Sequence, residues 1–128
     1  MSNVFIFTNG GKKSQRQLVE DITSWYINTK LPRYKNLNIE IDLEKIDDAQ
    51  GFCTEIDKRE FHIQIDKRLQ GDDFVTCIFH ELTLVEQHLR NKFGIREDND
   101  NIHYLDRPYE IDAYIKQEQL LEEYRLCS

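Results

Sequence analysis

With 128 residues, the chain has the length of one ordinary domain, and we read 1–128 as a single unit. It is 39% hydrophobic and 11% aromatic, enough apolar side chain to argue against disorder. Its formal net charge of −7 argues against non-specific binding to nucleic acid or to an anionic membrane surface.

In chain order, residues 3–7 (NVFIF) are short, β-branched and aromatic, and read as a strand or an ordered arm. Asn9-Gly10-Gly11 then breaks the chain. Ser14 and Gln17 have the spacing of a capping box, and Leu18, Val19, Ile22, Trp25 and Tyr26 recur at helical spacing. A first helix is expected over about 14–30, stopping before Pro32. Leu37, Ile39, Ile41 and Leu43 alternate with polar residues, which predicts a half-buried strand at 37–44. Residues 51–57 and 60–66 read as a hairpin, with Phe61, Ile63 and Ile65 on one face of its second strand. His62, Gln64 and Asp66 take the other face.

Gly71-Asp72-Asp73 is a turn that opens a second helix, roughly 73–93, ending near Gly94. Residues 95–105 form a polar loop. Asp106 is placed to cap a third helix running to about Arg125, with Pro108 tolerated in its first turn. The order predicts an α+β fold: an N-terminal helix, a small, mainly antiparallel three-stranded sheet, and two further helices.

Cys53, Cys77 and Cys127 are too few and too scattered for a disulfide framework, and no CxxC pair is present. Reduced thiols in a cytoplasmic setting are the simplest expectation. The first residues lack a basic leader and a cleavage site, and no apolar stretch is long enough to span a membrane.

The second helix carries the chemistry. On a wheel of about 100° per residue with Phe74 at zero, Val85, Ile78, Leu89 and Leu82 fall within roughly the next 80° and form a core face. His80, Leu84, Cys77, His88 and Glu81 occupy a separate arc, at about 240–340°. His80-Glu81 begins the H-E-x-x-H signature, in which two histidines one turn apart hold zinc and the glutamate activates water. The fifth position of that signature is Leu84.

On the third helix, Tyr109, Ala113, Tyr114, Gln117, Leu120, Leu121 and Tyr124 build an apolar-aromatic arc. Glu110 falls near its middle, while Asp112 points almost opposite. A carboxylate on such a stripe is costly unless paired, hydrogen-bonded or bound to a metal. Glu110 either meets a cation held by His80 or forms an ion pair or a tyrosine contact.

The segment FHELTLVEQ, followed some twenty residues later by RPYEIDAY, resembles small single-domain zinc metallopeptidases of the zincin type from bacteriophage and bacterial genomes. Their pattern reads H-E-x-x-H-x-x-Q, then P-x-E-x-x-A-Y. The first helix, the NIEI strand and the hairpin extend the resemblance over most of 14–125. It implies a zincin-like fold, a zinc cofactor and a peptide or protein as substrate or partner. By position, His80 matches the first zinc ligand, Glu81 the general base and Glu110 the acidic ligand from the following helix. No residue inherits the second histidine's role, because position 84 is leucine.

A complete site would hold zinc through two histidines and one acidic ligand, leaving a position for water. His88 lies about 12 Å along the helix from His80, too far to share one ion. His103 in the loop either swings in or stays solvated, and His62 either lines a groove or faces water. Gln87 either bonds in the site or caps the cleft, and Cys77 is either a soft ligand or a buried inert thiol. The expectation is a zinc peptidase weakened or inactivated at position 84. The alternative is a catalytically silent zincin-fold module that grips a protein through the old cleft. One base change converts a histidine codon to leucine, so a parent chain with histidine at 84 would be an ordinary peptidase. An interaction protein with a coincidental His-Glu pair ranks last, because it leaves Glu110 unexplained.

Overall fold

Strand alternation gives this protein a sheet with one buried face. The computed structural model describes residues 3–90 and 108–127. The elements run β1 (Asn3–Gly10), α1 (Lys13–Lys30), β2 (Asn36–Glu44), β3 (Gly51–Asp57), β4 (Glu60–Asp66), α2 (Gly71–Leu89) and α3 (Pro108–Cys127). Leu37, Ile39, Ile41 and Leu43 of β2 and Phe61, Ile63 and Ile65 of β4 point to one side, where they are buried. They meet Val19, Ile22 and Tyr26 of α1 and Ile78, Phe79, Leu82 and Val85 of α2 in one core.

The sheet corrects the expectation of three mainly antiparallel strands. It has four strands in the order β1-β2-β4-β3. β1 pairs with β2 in parallel, β2 with β4 in parallel, and only β3 with β4 is antiparallel. The physical reason lies in the connections. A helix between two neighbouring strands returns the chain to the same end of the sheet, so α1 makes β1 and β2 parallel. β3 then takes the outer edge, so its hairpin partner β4 lies beside β2 and runs with it. Gly10 and Gly11, at φ +79° and +59°, let the chain turn from β1 into α1.

Helix ends also differ. α1 is opened not by Ser14 and Gln17 but by Gln15, whose Oε1 accepts the Lys12 backbone N–H at 2.8 Å. Gln17 instead donates to Asp21 Oδ1 at 3.0 Å. α2 starts two residues early, at Gly71, and its last turn closes with Arg90 N–H donating to the Glu86 carbonyl at 2.9 Å. The expected cap at Asp106 and the polar loop with His103 lie outside the described residues.

α3 packs on α2. Glu110, Ala113, Gln117, Leu120, Leu121 and Tyr124 recur every three to four residues, and Ala113 is fully buried. So small a residue lets the helices approach closely. Further along, the Tyr124 ring meets Trp25 at 5.3 Å and Phe79 at 5.8 Å, both edge to face, tying α3 to α1 and α2. Among the described residues no helix is long and apolar enough to cross a membrane.

Candidate metal centre

The polar arc of α2 is buried. His80, Glu81, Leu84 and Gln87 are all nearly inaccessible, because α3 covers one side of the arc and the start of β3 another. The His80 imidazole has a polar neighbour at each nitrogen. Nδ1 lies 2.9 Å from Gln117 Oε1, and Nε2 lies 3.5 Å from Glu110 Oε2. Gln117 Oε1 can only accept, so Nδ1 carries a proton and donates it. In the neutral ring the Nε2 lone pair is then left facing Glu110. This is how a ligating histidine is usually held, with its second nitrogen donating to an oriented acceptor. The Tyr114 ring packs against the imidazole at 4.5 Å.

Glu81 sits one residue on, at the floor of a cavity of about 320 Å³ that Gly51, Cys77, His80, Tyr114 and Gln117 help to line. Gly51 makes this floor. A Cβ at that position would stand 2.8 Å from the Gln64 carbonyl oxygen, 3.0 Å from Cys77 Sγ and 3.2 Å from Glu81 Oε2. Only glycine lets β3 begin this close to α2.

Two carboxylate oxygens in this centre, Glu81 Oε1 and Glu110 Oε2, are buried without a hydrogen bond among the described residues. Burial pushes the Glu81 carboxyl up to about 7; the His80 charge opposes this and the Glu110 charge adds to it. For His80, burial pulls the pKa down, but the adjacent Glu110 carboxylate and the charge of Glu81 outweigh it and the net shift is upward. Tyr114 is raised by burial and by the charges of Glu110 and Glu81. Cys77 is raised by burial and by Glu81, which leaves it a protonated, weakly nucleophilic thiol.

The fit of a zinc ion can be judged from these donors. Tetrahedral zinc with arms of about 2.0–2.2 Å separates two ligand atoms by roughly 3.3–3.5 Å. The 3.5 Å between Nε2 and Oε2 matches one edge of that tetrahedron. Among the described residues no third donor joins them. Leu84 is buried one helical turn from His80 and has no atom that can coordinate. Among the described residues, no other His, Cys, Asp or Glu atom lies within 4.8 Å of both. The described residues therefore bring two candidate donors, His80 and Glu110, to this point and no third.

The remaining sequence candidates are elsewhere. Gln87 donates to Asp112 Oδ2 at 2.6 Å, so Asp112 faces α2 and not the opposite side that the wheel gives it. His88 lies 3.8 Å from Glu55 and packs near Phe61. His62 is not among the described residues that line this cavity. It lies on the helix-free face of the sheet, 2.6 Å from Asp42 Oδ2. Gln117 was the functional contact missed. Its signal was a polar residue two turns from Glu110 inside an otherwise apolar arc. Comparison of the chain with protein-family models, with curated proteins and with solved structures gives no match.

Proposed function

We propose that this protein is a zinc-metallopeptidase-like protein of zincin type whose centre is degenerate at position 84. His80 and Glu110 are its remaining metal ligands and Glu81 its general base, and peptide hydrolysis is weak or silent as the chain stands. The observation that carries this reading is the buried meeting of His80 Nε2 and Glu110 Oε2 at 3.5 Å beside Glu81. When bound, zinc lowers the pKa of a coordinated water and polarises a carbonyl. The chain's own contributions are orientation and proton transfer. Gln117 fixes the His80 tautomer, and a Glu81 carboxyl near pH 7 is matched to taking and returning a proton. The cytoplasmic setting expected from the three cysteines belongs to the same proposal. The test is cleavage of a quenched casein substrate with added zinc. Leu84→His should gain activity that Leu84→His/Glu81→Gln lacks. A folded Leu84→His variant no more active than the parent would contradict it.

A second reading, a silent zincin-fold module that binds a peptide, is favoured by the edge position of β3 beside the cavity. An edge strand offers unpaired backbone groups to an extended peptide. Peptide binding that survives in the parent chain without zinc would select this reading over hydrolysis.

A further inference from the structure

We propose that the helix-free face of the sheet, on the opposite side from His80, is a docking surface for a lysine- or arginine-rich extended protein segment. Glu40, Asp42 and Glu44 stand in a row along this face of β2, at intervals of about 6.7 Å set by the strand repeat. Among the described residues none of the three pairs with a lysine or arginine. Their partners are Asn9, His62 and Gln64. On one flank Phe5 and Phe7 of β1 stack at 6.3 Å and are 54% and 52% exposed. On the other flank Phe52 of β3 is 37% exposed. No described helix covers any of these side chains.

An acidic row between two exposed aromatic flanks specifies its occupant by charge and shape. An extended segment with basic residues at alternate positions repeats its charges at the spacing of the carboxylates. Its aliphatic stems and cationic heads also suit the faces of phenylalanine rings. A second copy of this chain fits poorly, since face-to-face pairing would set the two carboxylate rows against each other. Nucleic acid is repelled by the same row.

The test is fluorescence anisotropy with a labelled ten-residue peptide of alternating lysine and valine, at low and moderate salt. The parent should bind it, more weakly as salt rises. Glu40→Gln/Asp42→Asn/Glu44→Gln should weaken binding about tenfold, the sum of two or three exposed ion pairs. Phe5→Ser/Phe7→Ser should weaken it at unchanged net charge. A control with three carboxylates removed elsewhere, Asp21→Asn/Glu118→Gln/Glu122→Gln, should bind like the parent. The proposal is overturned if the control weakens binding as much as the β2 variant, or if the phenylalanine variant binds unchanged. It is equally overturned if the parent ignores the peptide and the face serves only self-association or zinc held by Glu40, Asp42 and His62.

Discussion

His80 Nε2 and Glu110 Oε2 face each other across 3.5 Å, with side chains only 8% and 1% exposed. Helix α2 supplies the base and helix α3 the acid, and Ala113 one turn beyond Glu110 lets the two helices close. Removing one partner leaves the other buried and unpaired. Glu110→Gln should therefore lower the His80 pKa, seen by NMR titration of its ring protons. It should also cost about 1–3 kcal/mol of stability by urea unfolding. An unchanged His80 titration would mean that the two groups do not interact in solution.

Glu81 gives a pH signature of definite sign. Its folded pKa is raised from 4.5 to about 7, chiefly by burial. Between those values the folded state keeps a proton that the unfolded state has lost, so stability falls as pH rises. Glu81→Gln should flatten this slope between roughly pH 4.5 and 6.5 and be more stable than the parent at pH 8. His80, also raised, adds a further loss as pH rises above its ordinary value, and Glu81→Gln reduces that part too, because the Glu81 charge is one of its causes. Equal slopes for parent and variant in urea unfolding from pH 5 to 6.5 would contradict the burial of this carboxylate.

Acid should act through a different residue. Asp66 is held down to about 2 by Arg68, which bonds its carboxylate through Nε at 3.0 Å and Nη2 at 2.8 Å. A depressed carboxylate contributes stability above its unfolded value near 3.8, lost as pH falls through about 2. Asp66→Asn should shift the acid-unfolding midpoint, followed by circular dichroism, to higher pH. An unmoved midpoint would show that this pair plays no part in acid stability.

The floor of the cavity is tight enough to test with one methyl group. Gly51→Ala would place its Cβ 2.8 Å from the Gln64 carbonyl oxygen and 3.0 Å from Cys77 Sγ. Overpacking of this kind costs about 1–3 kcal/mol, read as a lower thermal midpoint. A neutral effect would mean that β3 starts further from α2.

Much of the fold could be read from periodicity, and what could not has a common cause. Alternation along β2 and β4 showed which side chains are buried, and the hairpin at 51–66 formed with the expected limits. Periodicity assigns faces, not neighbours. It therefore could not show that β1 joins the sheet beside β2, or that β2 runs parallel to β4. Within the centre, the misplaced carboxylate at 110 signalled the approach of α3 to His80. The positions of Gln117 and Gln87 drew notice, but their partners, His80 and Asp112, were not legible, because an amide on a helix arc has many groups within reach. His62 was ambiguous for the reason that strands have two faces and only one covers the cavity.

Calorimetric zinc titration of three proteins tests whether His80 and Glu110 converge on one cation position that lacks a donor at 84. Leu84→His should bind zinc at least about 100-fold more tightly than the parent, the upper end of what a lost outer-shell partner costs. Leu84→His/Glu110→Gln should lose most of that gain. A folded Leu84→His protein with the parent's affinity, or one indifferent to Glu110→Gln, would show that the two side chains share no cation position.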